Sequence, residues 1–122
     1  MGARGESIIH AKGRDIYLLF TTRALINAEQ QLGKSTSVIM RSFVSNTIGY
    51  TELVALLRSG MEAARMDARI GGRPVSNNDA IDIIDEVGFI AAITPVMDAV
   101  AAVTIYKADE ENEAAEDGTD PN

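Results

Sequence analysis

The sequence predicts an α+β fold that is mostly α: an N-terminal β-hairpin followed by a bundle of about five helices. Three observations carry that expectation. Apolar residues flank Lys12-Gly13 on both sides between Ser7 and Phe20, the pattern of two strands joined by a two-residue turn. From Thr21 onward, apolar residues recur at three- and four-residue spacing in segments separated by polar or glycine-containing connectors. Finally, Phe89 to Tyr106 is the longest apolar run, broken only by Thr94, Asp98 and Thr104. A helix that is apolar nearly all round belongs in a core, so the other elements are expected to pack onto this one.

In the hairpin, a turn at Lys12-Gly13 sets Ile9 opposite Ile16, Ile8 opposite Tyr17 and His10 opposite Asp15. Ile9, Ile16, Leu18 and Phe20 then share one face, and Ile8, Tyr17 and Leu19 share the other. Two strands cannot satisfy two apolar faces. One face is expected to cover the helices, and the second needs another chain or another part of this one.

Thr21 or Thr22 caps a helix running to about Leu32, stopped by Gly33, with Leu25, Ala28 and Leu32 as its inward stripe. A shorter helix starts near Ser35 or Ser37 and carries Val38, Ile39, Met40, Phe43 and Val44. Thr51 is expected to cap the third helix, whose face holds Leu53, Leu56, Leu57, Met61 and Ala64. Gly60 inside it costs about 1 kcal/mol relative to Ala, which suggests a close helix crossing. Ala68 to Val75, with Gly71, Gly72 and Pro74, reads as a loop. Ser76 and Asp79 form a capping pair for a fourth helix that packs through Ile81, Ile84 and Val87 and ends at Gly88. In the fifth helix, Pro95 is expected either to kink the chain or to lie in the first turn of a second half.

A length of 122 residues suits one domain. Net charge is −7, of which the segment 107–122 holds −6, from Lys107 against seven acids. Such a segment buries too little apolar area to offset the entropy of ordering it. The expected organisation is a flexible N-terminus (1–6), a single α-rich domain (7–106) and a disordered acidic tail (107–122). Without a basic stripe to neutralise phosphates, nucleic acid is not an expected partner. A bilayer span needs about 20 apolar residues, and Pro95 and Asp98 interrupt the shorter run here, so no membrane partner is expected either. The N-terminus shows no secretory signal pattern, and a cytoplasmic location is expected.

The residues offer little for catalysis. There is no Cys, which excludes disulfides and thiolate chemistry, and His10 is the only histidine, which excludes a Ser-His-Asp set and a two-His metal site within one chain. His10 beside Asp15 reads as a cross-strand pair. Asp79, Asp82, Asp85 and Glu86 read as a solvated helix face, and Gly71-Gly72-Arg73-Pro74 is too short to cradle a phosphate. No catalytic, cofactor-binding or metal-binding residue is expected, and the chain is not expected to be an enzyme.

Three stretches carry a family resemblance over about residues 12–103. The first is GRDIYLLFTTRALINAEQQLGKS, with Leu18 and Phe20, Ala24-Leu25, Glu29 and Leu32-Gly33. The second is YTELVALLRSGM, where Leu56-Leu57 precede Gly60-Met61. The third is SNNDAIDIIDEVGFIAAITPVMDAV, a capped helix closed by Gly88 and followed by an apolar one. In this order and spacing the chain resembles the tail assembly chaperones of long-tailed phages and gene transfer agents. The resemblance implies a non-enzymatic factor that binds the tape measure protein, helps recruit tail tube subunits in the bacterial cytoplasm, and is absent from the finished particle. Alternatives are a structural tail-completion or connector component, or a small helical regulator or adaptor. The most basic stretch, Arg58 to Arg73, is interleaved with Glu62 and Asp67, which weakens the regulator. Ile8, Tyr17 and Leu19 are the expected partner-binding residues, and self-association through them would account for the same apolar face.

Overall fold

The computed structural model describes residues 5–119, with side chains over residues 5–104. Strands β1 (Glu6–Ala11) and β2 (Arg14–Leu19) precede α1 (Thr22–Leu32), α2 (Thr36–Val44), α3 (Tyr50–Asp67), α4 (Asn77–Val87) and α5 (Phe89–Thr119). This is the α+β, mostly α architecture that the sequence predicts. The strands pair antiparallel in the expected register, Ile9 with Ile16, Ile8 with Tyr17 and His10 with Asp15. Pairing also reaches further back than Ser7. Glu6 pairs with Leu19, and the Phe20 N–H donates to the Gly5 carbonyl at 2.8 Å. Of the expected flexible N-terminus, residues 5 and 6 therefore belong to the hairpin, and residues 1–4 lie outside the described residues. In the turn, Gly13 has φ 72° while Lys12 keeps a negative φ, the sign pattern of a type II turn.

Ile9, Ile16, Leu18 and Phe20 are buried and form the inner face of the hairpin. Their floor is α3, which buries Leu53, Ala55, Leu56, Leu57, Ser59 and Gly60 and touches β2, α1, α4 and α5. The central helix is thus α3, and the expectation that the chain is organised around the apolar run at Phe89 is corrected. The reason is periodicity within that run. Ala92, Val96, Ala99 and Val100 form a narrow buried stripe, while Ile90, Thr94 and Asp98, four residues apart, share an exposed face. Pro95 sits inside one continuous helix. It removes the N–H that would bond to the Ala91 carbonyl, and Ala91 is exposed, so water can replace that donor. The helix continues past Tyr106, through Ala- and Glu-rich residues of high helix propensity. The side chains from 105 onward lie outside the described residues, and the expected disorder of the acidic tail falls there.

Helix ends follow their capping chemistry, with one correction. Thr21 Oγ1 accepts from the Ala24 N–H, Ser35 Oγ from Val38, and Ser76 Oγ from Asp79. Asp79 reciprocates by accepting the Ser76 N–H at 2.9 Å. The cap of α3 is Gly49 instead of Thr51. Glycine has no side chain to offer, and the cap is one-sided: Glu52 Oε1 accepts the Gly49 N–H at 2.6 Å. Between α1 and α2, Glu29 accepts from both the N–H and the hydroxyl of Thr36, at 2.7 and 2.6 Å, which fixes the turn between them.

Two inward faces differ from expectation. α1 buries Ala24 and Ala28 with Leu25 and Leu32 half-buried beside them, because α3 approaches closely enough for the buried Ser59 hydroxyl to donate to the Ala24 carbonyl at 2.6 Å. α4 buries Ala80, Ile83 and Ile84, leaving Ile81 40% exposed. What Gly60 meets first is an aromatic ring, not another helix. A Cβ there would stand 2.7 and 2.9 Å from Phe20 Cζ and Cε2, so the glycine makes room for the aromatic ring that follows β2.

Gly60→Ala is therefore expected to destabilise the fold by about 1–3 kcal/mol through overpacking, against the helix propensity that favours Ala. Urea unfolding of Gly60→Ala, Phe20→Leu and the double variant tests this. The double variant should cost less than the sum of the two single changes.

Candidate functional site

The hairpin is held to the helices at three points, which makes its outer face a fixed surface. Ser7 Oγ donates to the Pro95 carbonyl at 2.7 Å. At the turn, Glu86 accepts the Lys12 N–H at 2.7 Å, and its other oxygen lies 3.6 Å from the Arg14 guanidinium. Phe20 closes the far end against Gly60. The three expected partner-binding residues all lie on the outer face. Tyr17 is 60% exposed, and Ile8 and Leu19 are half-buried. The structure brings them together along a groove of about 460 Å³ whose other wall is Ala64, Asp67 and Ala68 at the C-terminal end of α3. That wall lies about fifty residues away in sequence, and no local pattern points to it.

The wall is anchored by a fork of charged hydrogen bonds. Arg65 donates through Nε and one terminal nitrogen to the two oxygens of Glu62, each at 2.8 Å, and through the other to the Ile70 carbonyl at 2.6 Å. Glu62 also accepts the Val75 N–H at 2.9 Å. One acid–base pair thus closes the loop 68–75 onto α3. The Arg65 hydrogen bonds, aided by the Val75 N–H and opposed by partial burial, hold the Glu62 carboxyl down to about 2. A second fork joins Arg73 to Asp79 at 2.7 and 2.8 Å, and with the Ser76 N–H it holds Asp79 well below the usual carboxylate range. The acidic run on α4 is in this way divided: Asp79 caps and clamps, Glu86 docks the hairpin turn, and Asp82 and Asp85 are exposed.

A second apolar groove, about 350 Å³, lies between the start of α3 and α4 and is lined by Tyr50, Val54, Ile81 and Ile84. Tyr50 is 64% exposed, with its ring centroid 4.3 Å from that of Phe89. Sequence reasoning missed this surface because Ile81 fits the inward spacing of α4 as well as Ile83 does.

His10 Nδ1 lies 2.8 Å from Asp15 Oδ1, an exposed cross-strand pair on the hairpin as expected. Among the described residues, no three His, Asp or Glu side chains converge as a metal-binding group. Also among them, no single helix is long and apolar enough to cross a membrane. What these surfaces can do chemically is bury apolar side chains of a partner. No protein-family model, curated protein or solved structure matches the chain.

The depressed carboxylates set an acid limit on the fold. Glu62, Asp79, Glu52 (through Lys34) and Glu29 (through Thr36) are all lowered. A lowered folded-state pKa contributes stability above the ordinary value, 4.5 for the three glutamates and 3.8 for Asp79, that is lost as pH falls toward the folded value. Melting temperature should hold steady above pH 5 and fall steeply between about 4.5 and 2. In Glu62→Gln the fall should be shallower, because the protonation that drives part of it has been removed.

Proposed function

We propose that this protein is a non-enzymatic assembly chaperone for the tails of a phage, prophage or gene transfer agent. In this reading it binds the tape measure protein in the bacterial cytoplasm, helps recruit tail tube subunits, and is not retained in the finished particle. The observation that carries the reading is the outer hairpin face, where Ile8, Tyr17 and Leu19 stand along an open groove on a rigidly anchored hairpin. The family resemblance across residues 12–103 supports it independently.

Magnitudes fit a transient binder. Covering one exposed and two half-buried apolar side chains is worth roughly 3–5 kcal/mol before the costs of association are subtracted. A single site of that strength releases readily. Many copies at successive sites along one long apolar partner cover it, which keeps its surface from aggregating while leaving each copy free to depart. The negative charge of the chain adds repulsion between such coated complexes.

Co-expression with the tape measure protein of the same gene cluster tests the reading. Soluble co-purification is expected, with the tape measure protein precipitating when produced alone. Tyr17→Asp should reduce co-purification by about tenfold or more, while its own melting temperature changes little because Tyr17 is exposed. Unchanged solubility of the tape measure protein, or full binding by Tyr17→Asp, would sink the proposal.

A further inference from the structure

We infer that the free edge of β2 accepts an extended segment of a partner chain as a third strand, and that this segment carries a Lys or Arg among its apolar residues. The inference deepens the chaperone reading, on which it rests for the partner's identity but not for the chemistry of the edge.

The hydrogen-bond phase of the hairpin shows what the edge offers. The Phe20 N–H bonds to the Gly5 carbonyl, so Gly5 and Phe20 face each other as a bonded pair. Bonded and non-bonded pairs alternate along an antiparallel ladder. Asp15, Tyr17 and Leu19 therefore direct their N–H and C=O groups away from β1. Among the described residues, no hydrogen bond from another element reaches them. Native edge strands are usually blunted by Pro, Lys, a bulge or a covering element. Arg14–Leu19 has neither Pro nor Lys and pairs one-to-one without a bulge, and its two charges, Arg14 and Asp15, lie at the turn end, away from Tyr17 and Leu19. An edge without a backbone partner beside an apolar face is the arrangement that captures extended peptides, with main-chain bonds giving affinity and alternate side chains giving selectivity.

Charge decides the occupant. The charged side chains lining the groove are Glu6 and Asp67, both acidic. The wall is also the C-terminal end of α3, the end of a helix toward which its dipole places partial negative charge. A cationic side chain in the incoming strand is favoured there. A second copy of this chain is disfavoured, because it brings the same acidic groove and a net charge of −7 instead of a complementary positive charge.

The test is amide hydrogen exchange on the full chain, with a peptide of about ten residues that alternates valine and threonine between terminal lysines. Two control peptides accompany it, one with alternate backbone amides N-methylated and one with glutamate replacing lysine. The lysine peptide should slow exchange at Tyr17 and Leu19 by about tenfold or more, and both controls should lose most of that protection. The inference is overturned if the lysine peptide leaves these amides unprotected, or if the N-methylated peptide protects them equally. Protection that grows with protein concentration in the absence of peptide would assign the edge to a second copy. The two readings fail separately. Tyr17-dependent capture of the tape measure protein without edge protection removes only the strand-addition inference. Edge protection without capture of the tape measure protein removes only the chaperone reading.

Discussion

The fold depends on the contact between Phe20 and Gly60. The hairpin comes first in the chain and α3 lies in its middle, so something must fix one against the other. The Phe20 ring does so by occupying the space that any larger residue at 60 would fill. The neighbouring Ser59 bonds to the Ala24 carbonyl, so two adjacent residues of α3 set the positions of both the hairpin and α1. Ser59 lets α1 approach closely on one side, and Gly60 leaves room for the Phe20 ring on the other. The remaining helices complete the core around that joint, with α4 and α5 covering the other sides of α3.

Because the inner hairpin face is committed to that joint, the outer face is left over. Two strands have two faces, and the helices cover only the one carrying Ile9, Ile16, Leu18 and Phe20. The polar anchors then act on function. Glu86 at the turn and Pro95 beside β1 keep the hairpin from tilting to hide Tyr17, and the Glu62–Arg65 fork holds the opposite wall of the groove in place. A flexible hairpin could bury its apolar surface against itself or its own helices. This one is held open by hydrogen bonds to two helices, α4 and α5, and by the packing of Phe20 on a third, α3.

Much of this was legible beforehand where the chemistry is local. The hairpin register follows from a two-residue turn and strict alternation, so Ile9/Ile16 and Ile8/Tyr17 could be paired from spacing alone. The Ser76/Asp79 cap and the stops at Gly33 and Gly88 were legible for the same reason, since each is satisfied within a few residues. The cap of α3 was misplaced because Thr51 looks like a cap, whereas the Glu52 carboxylate bonds most directly to the Gly49 N–H. At α4, Ile81 and Ile83 offer competing stripes, and only the placement of the helix against its neighbours selects Ile83.

By itself, then, the sequence determined the elements, the hairpin register and the identity of the unpaired apolar face, all products of short-range sterics and period-two or period-3.6 patterning. Tertiary structure alone decided which helix is central. Apolar content favours the run at Phe89, but burial depends on how many neighbours surround a helix, and that goes to α3. Tertiary structure likewise decided that Gly60 serves an aromatic ring, and that the end of α3 forms the second wall beside Tyr17. Those contacts join residues some forty to sixty positions apart, and no pattern within a single segment encodes which distant surfaces meet.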